Sequence, residues 1–254
     1  LWTWTQNNAT AEMSVYEAIK AWYRLFDTAR YYANEEGVWK WIKRAIEEWL
    51  VTRDELFITS KIIPDSYYDS DVAIDESLRA LWLDYIDLML IHQPWENDKE
   101  LYKALEGGVK SWKIRSLWIS NYYTKEAFDE ITEGVEIMPA VLQNENHIYH
   151  QNTKLKEYIQ QYWTILESWY PFWGRWNTEE SFTNPTILKL SEKYWKTPAQ
   201  IILRWQVQDG YVVIPGSSNV EHIKENIDIF DFELTPNEMK LVNMINENRR
   251  YENW

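Results

Sequence analysis

The chain is predicted to fold as an α/β protein, a (β/α)8 barrel, and three observations carry that prediction. Short apolar, β-branched runs alternate with amphipathic helical stretches over the full 254 residues, the pattern of βαβ units around a parallel sheet. Eight such runs are present, the number that closes a parallel sheet on itself. The polar residues able to do chemistry gather directly after these runs, at what becomes one rim of the barrel.

The strand-like runs are residues 24–27, 56–61, 86–92, 115–120, 140–143, 164–168 and 211–215, with a stub at 1–3. Helical patterns fill the intervals at 14–21, 38–48, 71–81, 99–110, 152–162 and 198–208. In the third of these, Ile74, Leu78 and Leu81 fall at i, i+4 and i+7 and share one face. Two later helices announce their starts: Thr197-Pro198 with Gln200, and Thr235-Pro236 with Glu238, each a cap, an N1 proline and a capping-box partner. An open doubly wound sheet is the competing fold, but the first strand–helix turn lacks a G-x-G-x-x-G fingerprint. No repeat, linker or low-complexity segment interrupts the pattern, so residues 1–254 are expected to form a single barrel domain.

A formal net charge of -14 disfavours phosphate backbones and anionic lipid as partners and leaves a small molecule as the expected ligand. The absence of cysteine excludes disulfides, thiolate metal sites and cysteine nucleophiles and suits a reducing cytoplasm. No apolar stretch is long enough to span a bilayer, and the first ten residues lack the basic and apolar regions of a leader. The sequence opens at Leu1 directly in an apparent strand. His147 and His150 have a metal-like spacing but no evident third ligand, which points to a structural role.

One compositional feature is abnormal: 17 tryptophans stand against 7 glycines. Trp22, Trp49, Trp82, Trp112, Trp163 and Trp195 each follow a helical stretch, where a left-handed residue, usually glycine, is expected. At roughly 1–2 kcal/mol for each left-handed residue with a side chain, six such sites cost about 6–12 kcal/mol. That is comparable with the whole stability of a domain. The expectation is that these positions are glycine in the native protein, from a codon, UGA, that one genetic code reads as glycine and the common variant reads as tryptophan.

The residues that close the successive runs are Asp27, continuing through Thr28 and Arg30 to Tyr32, then Lys61, His92, Ser120-Asn121, Gln143, Trp169 and Ser217. Taken singly, each has an ordinary structural explanation: a cap, a surface charge, a satisfied rim polar group. Their joint placement at one rim is what points to function. The stretches FDTARYYANEEGV, ELFITSK, LDYIDLMLIHQP, KIRSLWISN, PAVLQNENH, ESWYPF and VVIPGSSNVEHIKENIDIFDFEL make the sequence resemble the aldo-keto reductases over almost its entire length, in particular the bacterial, diketogluconate reductase-like members. The resemblance implies an oxidoreductase in which Asp27, Tyr32, Lys61 and His92 form a catalytic tetrad. It implies that Ser120, Asn121 and Gln143 hold the nicotinamide amide, that Trp169 stacks on the ring, and that Ser217, His222, Glu225 and Asn226 meet the adenosine end. Family glycines also align with Trp2, Trp22, Trp39, Trp82, Trp112, Trp118, Trp163 and Trp195, whereas Trp169 and Trp205 read as authentic tryptophan.

The chemistry such a tetrad performs follows from physical organic principles. Hydride addition to a carbonyl leaves an alkoxide that needs a proton, and a phenol with an unperturbed pKa near 10 is a slow donor at neutral pH unless its surroundings tune it. Tyr32 is the expected general acid; Lys61 lowers the pKa of the phenol and stabilises developing negative charge, Asp27 keeps Lys61 charged and placed, and His92 orients the carbonyl. Where many relatives set a Lys and an Arg against the 2′-phosphate of NADPH, this sequence has Gly216 and His222, so NADPH is favoured with NADH as a second option. The N-terminal hairpin and the C-terminal loop of the family read as curtailed. The expected product is an alcohol made from an aldehyde, ketone or keto-sugar by a cytoplasmic monomer. Two other functions fit the same barrel: a nicotinamide-binding regulatory protein without turnover, and an isomerase or lyase marked by a phosphate loop after the last strands.

Overall fold

Seven parallel strands run in chain order around one sheet: β1 (Leu25–Asp27), β2 (Phe57–Ile62), β3 (Ile86–Ile91), β4 (Ile114–Ser120), β5 (Val141–Glu145), β6 (Ile165–Trp169) and β7 (Val212–Val213). The structure is a computed structural model and describes residues 1–62 and 70–252. The eighth position is taken by residues 1–3. Trp2 bridges Asp27 in parallel, the Thr3 N–H donates to the Asp27 carbonyl at 3.0 Å, and the Trp2 N–H donates to the Pro215 carbonyl at 3.2 Å. These bonds join the β1 edge to the chain leaving β7 and close the sheet into the expected barrel. The last strand is shorter than predicted, because Pro215 lacks the N–H that would continue the ladder.

The helices are α1 (Asn8–Lys20), α2 (Glu35–Glu47), α3 (Ser70–Ala80), α4 (Asp98–Lys110), α5 (Lys125–Thr132), α6 (Thr153–Ile159), α7 (Gly174–Phe182), α8 (Pro185–Tyr194), α9 (Pro198–Gln208), α10 (Val220–Ile227) and α11 (Pro236–Asn243). Both predicted capping boxes form, Thr197 with Gln200 and Thr235 with Glu238. The predicted face of α3 buries Ile74 and Leu81 and partly buries Leu78. α1 starts six residues earlier than its apolar pattern because the Asn7 side chain caps it, accepting from the Thr10 N–H. The helices α5, α7, α8 and α10 lie outside the predicted set. Three of them still carry side-chain caps, at Thr124, Asn184 and Asn219.

The main core lies between the helices and the outer face of the sheet and includes Ile42, Ile58, Leu81, Leu105 and Phe128, all fully buried. Inside the barrel, Leu88, Leu90 and Trp118 pack together. Trp118 is fully buried and its indole N–H has no acceptor, which leaves a buried donor at a cost of about 1–3 kcal/mol.

Every helix-end tryptophan singled out from the sequence adopts the left-handed conformation. The φ angles are 73° at Trp22, 59° at Trp49, 48° at Trp82, 63° at Trp112, 63° at Trp163 and 54° at Trp195. Their indoles project into solvent, 76% to 94% exposed. Trp173 joins them with φ 68°, although its side chain is buried and its N–H also lacks an acceptor. At the corresponding points after α5 and α9 the chain uses Gly134 and Gly210, with φ of 76° and 87°.

After α11 the chain returns to the barrel rim. The N–H groups of Glu247 and Arg249 donate to the Tyr149 carbonyl, both at 3.0 Å, and those of Tyr251 and Glu252 donate to the buried Glu145 carboxylate at the end of β5. The His147 Nε2–H donates to the same carboxylate at 2.8 Å, and the His147 Nδ1 accepts from the Tyr149 N–H at 3.3 Å. His147 therefore anchors the C-terminal segment.

Candidate active site

Asp27 ends β1 and is wholly buried, and Lys61, near the end of β2, reaches it from the neighbouring strand. The ammonium of Lys61 makes three bonds: an ion pair with Asp27, one to the Thr28 carbonyl at 3.0 Å and one to the Tyr32 hydroxyl at 3.0 Å. An ammonium has three hydrogens, so the cation is fully engaged and fixed in place. Tyr32 stands on a one-turn 3-10 helix, Arg30–Tyr32, closed by Ala33 at φ 53°. The loop beneath it is clamped by Asn34, whose Oδ1 accepts from the Thr28 hydroxyl at 2.8 Å. Its Nδ2 donates to the carbonyls of Thr3 (2.9 Å) and Gln6 (3.0 Å). Nothing in the sequence pattern singled out Asn34.

Burial pushes the Tyr32 phenol up to about 12, even though the adjacent Lys61 pulls it down. The sequence-based expectation of a net lowering by Lys61 is corrected here: the cation offsets only part of the desolvation. Burial opposes the charge on Lys61, yet Asp27 and Tyr32 hold its pKa above the ordinary lysine value. Tyr32 thus keeps its proton at neutral pH, and an alkoxide, far more basic than a phenolate, can still take it.

His92 follows β3, with its ring edge-on to Tyr32 at a centroid separation of 5.9 Å. Burial, with help from the charge of Lys61, lowers its pKa to about 3, so the ring is neutral at physiological pH and has one N–H to give. Any pH–rate profile is accordingly expected to show no limb between pH 5 and 8 from this residue, which gains its proton only as the pH falls towards about 3. An activity lost on acidification through pH 6.5 and restored in His92→Gln would contradict that.

The polar set expected beyond the tetrad converges on the same rim. Asn121, at φ 69°, accepts from the Trp169 indole N–H (3.2 Å) and the Tyr123 hydroxyl (3.0 Å) and donates through Nδ2 to the His92 carbonyl (3.0 Å). The Ser120 hydroxyl donates to the Gln143 carbonyl at 2.9 Å. Gln143, on β5, sends Nε2 across the barrel to Asp27 Oδ2 (3.0 Å) and to Glu167 Oε1 on β6 (2.7 Å). Glu167 was not among the predicted site residues.

Trp2 enters this site from the first strand. Its indole N–H donates to the Tyr32 hydroxyl at 2.9 Å, and its ring lies 6.3 Å from that of Trp169 and 5.1 Å from that of Tyr170. From Trp2 a cleft of about 340 Å³ runs past Tyr170 and Phe172 to Ser217, Asn219 and His222 at the start of α10. Ser217 and His222 line this cleft. Glu225 and Asn226 are not in that lining: the Glu225 carboxylate accepts from the Thr197 hydroxyl at 2.6 Å, and Asn226 is buried.

A parallel barrel with an Asp–Lys–Tyr–His cluster at the C-terminal rim invites comparison with known proteins. The family model described as Aldo/keto reductase family matches residues 1–247. The chain belongs to the aldo/keto reductase family. Among its relatives, this aldo/keto reductase is 40% identical over 248 residues to the glyoxal reductase of Bacillus subtilis, covering 96% of this chain and 87% of the relative. It is 37% identical over 276 residues to the NAD(P)H-dependent D-xylose reductase I,II of Candida tropicalis, covering 93% and 85%. Of solved structures, it is similar to an aldo-keto reductase enzyme from a Medee basin deep-sea metagenome library, with a TM-score of 0.95, 32% identity and coverage of 100% and 92%. The Bombyx mori aldo-keto reductase solved in complex with NADP gives a TM-score of 0.92 at 31% identity, covering 100% and 90%. The barrel and the oxidoreductase reading of the sequence are borne out. Among the described residues no helix is long and apolar enough to cross a membrane.

Proposed function

We propose that residues 1–254 act as a single barrel domain that reduces the carbonyl of an aldehyde, ketone or keto-sugar to an alcohol, with NADPH as preferred hydride donor and NADH as a second. The observation that carries this reading is the threefold fixation of Lys61 between Asp27, the Thr28 carbonyl and the Tyr32 hydroxyl. When bound, the nicotinamide supplies the hydride. Tyr32 gives its proton to the oxygen of the nascent alkoxide, Lys61 stabilises the phenolate left behind, and Asp27 holds Lys61 in place. The neutral His92 ring donates one N–H to the carbonyl oxygen and sets its direction. Ser120, Asn121 and Gln143 are assigned to the carboxamide, Trp169 to the face of the ring, and Ser217, His222, Glu225 and Asn226 to the adenosine end. The names of the relatives support an aldose or a small dicarbonyl as substrate, and a diketogluconate reductase-like subtype, a cytoplasmic setting and a monomer complete the reading.

Trp2 does not fit. A flat ring that stacked on Trp169 and faced a carbonyl at Tyr32 would meet the indole that already contacts both. The reading therefore extends to the sequence itself: Trp2, Trp22, Trp39, Trp49, Trp82, Trp112, Trp118, Trp163 and Trp195 are glycine in the functional protein, decoded from UGA. The left-handed helix ends, the donor left unpaired at Trp118 and the covered Tyr32 hydroxyl all support this single cause. UGG codons at Trp22 and Trp82 would contradict it.

The test is a titration of protein fluorescence with NADPH and NADH, comparing the chain as written with Trp2→Gly. The glycine variant is expected to bind NADPH at least about tenfold more tightly, a difference of roughly 1.4 kcal/mol. Equal affinities would remove Trp2 from the cofactor site, and absence of binding in both would overturn the cofactor reading.

A further inference from the structure

Among the described residues, Glu167 is a deeply buried acid beside the site that the hydride-transfer reading leaves without a role. Glu167 lies at the centre of β6, directly opposite Gln143 in the parallel register, and is 1% exposed. The two hydrogens of the Gln143 amide nitrogen go to two carboxyl groups, Asp27 Oδ2 at 3.0 Å and Glu167 Oε1 at 2.7 Å. Asp27 and Glu167 therefore stand on either side of one nitrogen atom. The charged groups facing them are few. Lys61 is tied to Asp27 and to the Tyr32 hydroxyl. Two carboxylates sharing one cation in a dry interior leave one negative charge uncompensated, which is costly enough to be relieved by taking up a proton. Burial raises the Asp27 carboxyl too, but Lys61 and the Gln143 amide pull it back down, whereas Glu167 has no direct ion pair. Burial, and then the negative charge of Asp27, raise the Glu167 carboxyl well above the usual range.

We propose that Glu167 is a positioning residue for the reduction: as a neutral acid it holds the Gln143 amide in one orientation, so that Gln143 presents its carbonyl oxygen, and not its nitrogen, to the carboxamide of the cofactor. With both nitrogen hydrogens committed to carboxyl groups, Oε1 is the only part of the Gln143 side chain left for a ligand. The neutral state has a second effect. It keeps a second negative charge away from Lys61, so that the cation acts on Tyr32. When Glu167 ionises on raising the pH, the Gln143–Glu167–Asp27 cluster gains a charge, and reduction slows. This inference rests on the cofactor reading above, and its test separates the two.

The first measurement needs no cofactor. Infrared difference spectra of the full chain against Glu167→Gln at neutral pH are expected to show one un-ionised carboxylic acid band in the parent that the variant lacks. A parent without that band, or a band that survives in the variant, overturns the proposal. The second uses the chain with glycine at position 2, in which NADPH binding and turnover are followed for Glu167→Gln and Glu167→Leu. Glu167→Leu frees the Gln143 amide and is expected to weaken NADPH binding by roughly tenfold. Glu167→Gln, which still accepts one hydrogen bond, restores most of that loss and moves the alkaline limb of kcat to higher pH. Unchanged NADPH affinity in Glu167→Leu, or an unmoved limb in Glu167→Gln, overturns the positioning role while leaving the cofactor reading intact. If the parent binds no NADPH, both fall.

Discussion

Replacing Trp22, Trp49, Trp82, Trp112, Trp163 and Trp195 together by glycine is expected to raise the unfolding free energy, because roughly 1–2 kcal/mol of backbone strain is relieved at each site, about 6–12 kcal/mol before the entropic cost is counted. The sites are far apart along the chain, each after a different helix, so their effects should add. Opposing the gain is the larger backbone entropy of glycine in the unfolded chain, about 0.5–1 kcal/mol per site, so the net rise is about 3–6 kcal/mol. The indoles contribute little in return, because 76% to 94% of each faces water. The urea midpoint of the six-glycine chain against the chain as written measures the effect. No rise, or a fall, would mean that the exposed indoles stabilise the helix ends by contacts with their own surface. Among the described residues, the cation–π placement of Arg24 over Trp22, at 5.1 Å, is such a competing contact, at about 0.5–1 kcal/mol for an exposed pair.

The second large effect concerns the proton. Tyr32→Phe removes the hydroxyl that Lys61 and Trp2 both address and leaves the ring packed where it is. A general acid of this kind contributes about 10²–10⁴-fold, so kcat for carbonyl reduction should fall by that factor while NADPH affinity changes little. The loss should be full at neutral pH and undiminished below it, because a phenol pushed up to about 12 is fully protonated there. Since the folded value lies above the ordinary tyrosine value, competence is complete at low pH and declines only as the pH rises towards it. A fall in affinity equal to the fall in kcat would assign Tyr32 to binding and not to proton transfer.

The barrel was legible because its signal is local. Strands such as Ile86–Ile91 are buried at every position and read as apolar runs, broken there only by Asp87, while the helices between them carry one apolar face. The proposed tetrad was legible for a related reason: Asp27 ends β1, Lys61 and His92 lie at the ends of β2 and β3, and Tyr32 follows β1 on a single turn, so all four fall at the rim that strand ends define. What escaped the sequence depends on contacts across the barrel. Gln143 reaches Asp27 over 116 residues of chain, and Trp2 reaches Tyr32 from the opposite end of the first turn. No periodicity reports such pairings. Asn34 and Glu167 look like an ordinary loop residue and an ordinary strand acid until the fold sets them beside the tetrad. No side-chain cap announces α7, whose N-cap position is Trp173 in the left-handed conformation, and the Asn184-Pro185 start of α8 lies outside the periodic apolar pattern. Net pKa direction was also beyond reach: the pairing of Lys61 with Tyr32 could be anticipated, but the degree of burial that outweighs it could not.

The most direct test of the account is the loss of NADPH and NADH absorbance over a panel of aldehydes and ketones, with glycine placed at the proposed positions. The account predicts steady oxidation of NADPH, slower oxidation of NADH, and collapse of both in Tyr32→Phe. Tight NADPH binding with no oxidation of any carbonyl tested would contradict it and would leave a barrel that senses the cofactor without using it.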